Sequence, residues 1–132
     1  MKKVLLIDDD EELCAELAEM LRLEEGVEVE TVFDGDTGSR RIQQNAYDVI
    51  ILDLKLPKLT GYQVLEKAKT TNTRPVKILI LSGRPLINSL LVSEMDKNDE
   101  EERILKMADA VMNKPFVIEE FLTVVRGLMA KK

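Results

Sequence analysis

Four short apolar runs, each ending on a polar residue and separated by stretches of helical periodicity, most restrict what this chain can fold into. KVLLI (3–7) runs into Asp8-Asp9-Asp10, DVIIL (48–52) into Asp53, VKILIL (76–81) into Ser82, and DAVMN (109–113) into Lys114-Pro115. Short runs rich in Val, Ile and Leu suit strands buried on both faces of a parallel sheet. In an open α/β sheet, ligands sit beyond the carboxyl ends of the strands. Carboxylates, a hydroxyl and an ammonium would therefore converge at one edge. That set suits a divalent cation and a phosphoryl group.

The intervening segments read as helices and one further strand. Leu13, Leu17, Met20 and Leu21 repeat at helical spacing, so residues 10–23 are expected to form a helix. Asp10 suits its N-cap, and Glu11 and Glu12 suit the positive end of its dipole. Gly26 stops it, and VEVETVF (27–33) alternates as a strand. Asp34-Gly35 turns into a helix through about Asn45, carrying Ile42 and weakened by Gly38. A loop ending on Gly61 leads to a helix from about Tyr62 to Lys69. Ile118, Phe121, Leu122, Val125, Leu128 and Met129 form the stripe of a last helix, with Lys131-Lys132 at its C-terminal end.

Residues 83–109 are the least regular. Leu86, Ile87, Leu90, Leu91 and Met95 make one apolar stripe, and Ile104, Leu105 and Ala108 another. KNDEEER (97–103) lies between them as a solvated turn or helix face, or as an acidic surface for a partner. The expected architecture is a single α/β domain over residues 1–132: a doubly wound, five-stranded parallel sheet with five helices.

A chain of 132 residues buries roughly two-thirds of its unfolded surface. No apolar run approaches the ~18–20 residues of a membrane span, and KVLLI is too short for a signal-peptide core. The single cysteine, Cys14, cannot form an internal disulfide, so a reducing cytoplasm is the expected compartment. Its place on an apolar stripe suits a small core side chain. A net charge of −6 argues against direct nucleic-acid binding. The absence of histidine removes Ser-His-Asp hydrolysis, His-ligated zinc and a phosphohistidine on this chain.

Three aspartates after a strand could simply cap a helix. In the strand order 2-1-3-4-5, however, the first and third strands are neighbours, which brings Asp8, Asp9 and Asp53 together. Two carboxylates ~4 Å apart repel by roughly 4 kcal/mol at an effective dielectric of 20. Such a cluster needs a protonated carboxyl or a cation. Oxygen-only ligands favour magnesium or manganese over zinc. Lys114 offers a point charge for a phosphate, and Ser82 a hydroxyl with space beside it at Gly83.

VLLIDDD, DVIILDLKLPKLTGYQVLE, ILILSG and NKPF together resemble, in order, the motifs of the receiver domain of two-component response regulators, over essentially the whole chain. The resemblance implies a flavodoxin-like sheet order, 2-1-3-4-5. It implies that Asp53 is the phosphoacceptor, and that Asp8, Asp9, Asp53 and the backbone carbonyl of Lys55 hold magnesium. By the same resemblance Ser82 is the switch hydroxyl and Lys114 contacts the phosphoryl group. The implied donor is a histidine kinase or histidine phosphotransfer protein. The implied output is a changed surface around the fourth helix and fifth strand toward an output partner, with a homodimer expected through the fourth helix, fifth strand and fifth helix. Such a chain is a signalling module rather than an enzyme acting on external substrates.

Two features depart from the family pattern. Val111 stands where an aromatic residue is usual, so a coupled hydroxyl–aromatic switch lacks its aromatic partner. Ser82 and Lys114 are further apart than is common, with the extra length around Leu90 to Arg103, which implies an altered partner surface. Lys55 and Arg84 are expected to influence hydrolysis by shaping water access. These departures motivate the alternative of a pseudo-receiver, an interaction module independent of phosphate. A haloacid dehalogenase-type phosphatase is disfavoured because Glu12 replaces the usual Thr or Val and no acidic pair follows Lys114. Sparse aromatics and no hydroxyl-rich loop disfavour a flavin carrier. GxGxxG and GxxxxGK[ST] are missing.

Overall fold

The apolar runs lie side by side in one sheet in the computed structural model, which describes residues 2–53, 64, 66, 68–70, 76–82, 106 and 108–130. The strands are β1 (Lys2–Ile7), β2 (Val27–Val32), β3 (Val49–Asp53), β4 (Lys77–Ser82) and β5 (Ala110–Asn113). Their order is β2-β1-β3-β4-β5, and every pair is parallel, as expected.

The two faces of the sheet are covered by different helices, which is why the central strands read as unbroken apolar runs. Val4, Leu6, Val49, Ile51, Leu79 and Leu81 pack with Cys14, Leu17 and Leu21 of α1 (Glu11–Arg22) and with Phe121, Val125 and Leu128 of the C-terminal helix (Ile118–Ala130). Leu5, Ile7, Ile50, Leu52, Ile78 and Ile80 face the other way, onto Ile42 of α2 (Gly35–Gln44) and the helical residues Val64 and Ala68. The alternation follows the two-residue period of a strand.

The caps set where the helices begin. Asp10 is extended, and its carboxylate accepts the Leu13 N–H at 3.1 Å. Asp34, read from sequence as part of a turn, is the N-cap of α2, its carboxylate accepting the Thr37 N–H at 2.8 Å. Such caps contribute about 1 kcal/mol each. Between α1 and β2, Gly26 adopts φ 75°, a left-handed conformation that favours glycine.

The fourth of the five expected helices falls within residues 83–107, of which only Lys106, a helical residue, is described. The expected 62–69 helix is represented by Val64, Glu66 and Ala68–Thr70, all helical. The KNDEEER segment and Lys131-Lys132 also lie outside the described residues. Among the described residues, no helix is long and apolar enough to cross a membrane.

Candidate functional site

Strand adjacency brings the acidic residues together. β1 pairs with β3 in a register that sets Ile7 against Leu52, so Asp8 and Asp53 follow side by side. Both are buried, at 0% and 4% exposure, while neighbouring Asp9 is exposed. One carboxylate oxygen from each of Asp8, Asp9 and Asp53 lies within 4.8 Å of the others.

The Asp8 carboxylate is anchored on both sides. Its Oδ1 accepts the Asp10 N–H at 3.0 Å, and its Oδ2 accepts from Lys114 Nζ at 2.7 Å. The Asp8 backbone N–H donates to the Val32 carbonyl, and its own carbonyl accepts from Cys14 Sγ at 3.3 Å. Sequence reasoning treated Asp10 only as a helix cap and Cys14 only as core. Both also position Asp8, and the signal was present in the Asp8-Asp9-Asp10 run, since a capped helix start directs N–H groups back toward the strand end.

Lys114 follows β5 directly and reaches both buried carboxylates, lying 3.6 Å from Asp53 Oδ2. Burial by itself pulls the Lys114 ammonium toward neutrality. The hydrogen bond to Asp8 and the charges of Asp53, Asp8 and Asp10 outweigh that effect and hold its pKa above the ordinary lysine value. Lys114 is therefore a cation at neutral pH. Among the described residues, three carboxylates with one ammonium leave a formal charge of two negative, and the donors they offer a cation are carboxylate oxygens. A small, hard divalent cation such as magnesium fits both the charge and the donors.

Of the remaining expected residues, Ser82 ends β4 in register with Asn113, one position before Lys114. Lys55, with its carbonyl expected at the metal, and Arg84 lie outside the described residues. Val111 sits on β5 at 39% exposure. It lines a groove of about 720 Å³ between β5 and the C-terminal helix, with Asn113, Phe116 and Val124.

Comparison with known proteins identifies the family. A family model described as the response regulator receiver domain matches residues 4–126. The response regulator ArlR of Staphylococcus saprophyticus is 28% identical over 132 residues, covering 100% of this chain and 54% of that protein. ArlR of Staphylococcus aureus strain Mu50 matches with the same identity and coverage. The chain thus spans about half the length of these relatives. Among solved structures, the Francisella response regulator 1452 receiver domain has 28% identity and a TM-score of 0.74, covering 98% of this chain and 97% of that one. A CheY-like receiver domain protein from Methanospirillum hungatei has 27% identity and a TM-score of 0.77, covering 98% and 94%. With the family model spanning nearly the whole sequence and the sheet order in agreement, this chain belongs to the response regulator receiver domain family.

Proposed function

We propose that Asp53 accepts a phosphoryl group from a phosphohistidine on a partner histidine kinase or histidine phosphotransfer protein. The observation that carries this reading is the convergence of Asp8, Asp9 and Asp53 around one point with Lys114 bridging Asp8 and Asp53. Asp8, Asp9 and Asp53, with the carbonyl of Lys55, would hold magnesium. When bound, magnesium supplies positive charge for the phosphoryl oxygens.

The Asp53 carboxylate attacks phosphorus in line, and the phosphorus–nitrogen bond of the donor breaks with its electron pair on the departing imidazole. Phosphoryl transfer of this kind depends on positioning and charge neutralisation more than on covalent work by the protein. Lys114 is a cation within reach of Asp53 and serves the oxygens of the phosphoryl group. Ser82, at the adjacent strand end, supplies a hydroxyl to the same group. The added charge alters the surface around β5 and the segment preceding it, where an output partner or a second copy docks.

The test is intact mass after incubation with magnesium and acetyl phosphate, comparing wild type with Asp53→Ala. One phosphoryl group on the wild type alone supports the reading. No adduct on the wild type in repeated trials would replace it with a phosphate-independent interaction module.

A further inference from the structure

The amino-terminal edge of the sheet, opposite the acidic site, carries two matching constructions. Asp48, just before β3, donates its N–H to the Lys3 carbonyl at 2.8 Å, and its carboxylate accepts the Lys3 N–H at 2.8 Å. Asp109, just before β5, donates its N–H to the Ile78 carbonyl at 2.8 Å, and its carboxylate accepts the Ile78 N–H at 2.7 Å. The Asp48 carbonyl accepts from the Lys77 N–H at 3.0 Å, which links β4 into the same row. Each aspartate thus replaces one rung of the parallel ladder with its own side chain. Lys3, Asp48 and Asp109 precede Asp8, Asp53 and Lys114 respectively by the same five positions.

These strands need such a device. Runs like VIIL and ILIL present apolar side chains to both faces, so a slip of two residues buries as much surface as the native register. The same slip would carry a strand end about 7 Å along its axis, far outside the tolerance of a phosphoryl site. Apolar burial does not choose the register here. A side chain that accepts the N–H of one particular residue on the neighbouring strand can.

We propose that Asp48 and Asp109 are positioning residues: by clasping β1 to β3 and β4 to β5 at one edge, they bring Asp8, Asp53 and Lys114 together at the other. Asp109 matters most for Lys114, because β5 has four residues and, among the described residues, pairs only with β4. Lys69 Nζ, 3.8 Å from the Asp109 carboxylate, adds a charge contact on that side chain.

This inference rests on the functional reading above for its kinetic consequence but not for its effect on cation binding. Asp109→Ala removes the acceptor of a buried N–H and frees β5, so Lys114 withdraws from Asp8 and Asp53. Phosphoryl uptake from acetyl phosphate is expected to slow about tenfold. Magnesium is expected to bind severalfold more tightly, as in Lys114→Ala, because the competing ammonium has left. Asp109→Asn keeps an acceptor oxygen and is expected to restore both. Combining Asp109→Ala with Lys114→Ala should give no further loss beyond Lys114→Ala alone. General destabilisation would instead weaken magnesium binding and add to the Lys114 effect, and either result overturns the proposal, as does wild-type behaviour of Asp109→Ala. If Asp109→Ala does not fold, Asp109→Glu, which keeps the charge but lengthens the arm, must shift both readouts in the same directions. A wild type that takes up no phosphoryl group sinks the functional reading, while the magnesium measurements still decide the role of Asp109.

Discussion

Lys114 donates to Asp8 at 2.7 Å across 106 positions of sequence, joining the last strand end to the first. Asp8 is fully buried, and Lys114 is its cation in the absence of a metal. A buried carboxylate stripped of its partner is costly, because neither water nor another charge compensates it.

Lys114→Ala should therefore destabilise the fold by about 3 kcal/mol in chelator-treated protein. Magnesium should recover much of that loss, since a bound divalent cation supplies the missing charge. Urea unfolding with and without magnesium measures both quantities. Equal destabilisation under the two conditions would contradict the shared-charge account.

Cys14 should behave as an inert thiol. Burial, the largest influence, together with the negative charges of Asp8 and Asp10, pushes its pKa up to about 12. Only thiolate reacts, so at pH 8 the native protein should resist alkylation by iodoacetamide, while urea-unfolded protein reacts readily. Comparable labelling rates in the two states would contradict the burial of Cys14.

Tyr47 holds a second, half-buried contact, its hydroxyl donating to Glu30 Oε2 at 2.6 Å beside the Lys3–Glu30 ion pair. Burial works to raise the Glu30 pKa, but the bonds from Tyr47 and Lys3 outweigh it and hold the pKa below the ordinary value of 4.5. A lowered carboxylate pKa stabilises the fold above the ordinary value and loses that contribution as pH falls through the lowered one. Tyr47→Phe should cost about 1–2 kcal/mol at neutral pH. The difference from wild type should shrink on acidification below pH 4.5, which denaturant titrations at a series of pH values would show.

Gly38 should not tolerate alanine despite its place inside a helix. A Cβ there would lie 2.8 Å from Ile7 Cδ1 and 3.4 Å from two further Ile7 atoms, and Ile7 is fully buried. The alanine gains about 1 kcal/mol of helix propensity. Overpacking against a fully buried side chain costs about 1–3 kcal/mol, so net destabilisation is expected. A raised urea midpoint for Gly38→Ala would contradict this packing.

The Gly38 case shows where the sequence falls short. Periodicity marked glycine as a weakness of α2, and only the approach of α2 to Ile7 explains its presence. Asp34 looked like a turn residue because capping and turn chemistry use the same side chains. Asp48 and Asp109 open the DVIIL and DAVMN runs, and nothing local indicates that their carboxylates face N–H groups 45 and 31 positions away.

The sequence by itself determined the strands, their parallel arrangement and the residues at their ends, because buried parallel strands and amphipathic helices have separable periods. It also determined the donor chemistry, since a chain without histidine and with one buried cysteine offers a cation mainly oxygen. The tertiary structure decided how those residues meet, down to the contacts of Lys114 with both Asp8 and Asp53. Strand register and adjacency are set by hydrogen bonds between distant segments, and uniformly apolar strands carry no local mark of their register. The convergence of Asp8, Asp9, Asp53 and Lys114 is a property of the sheet.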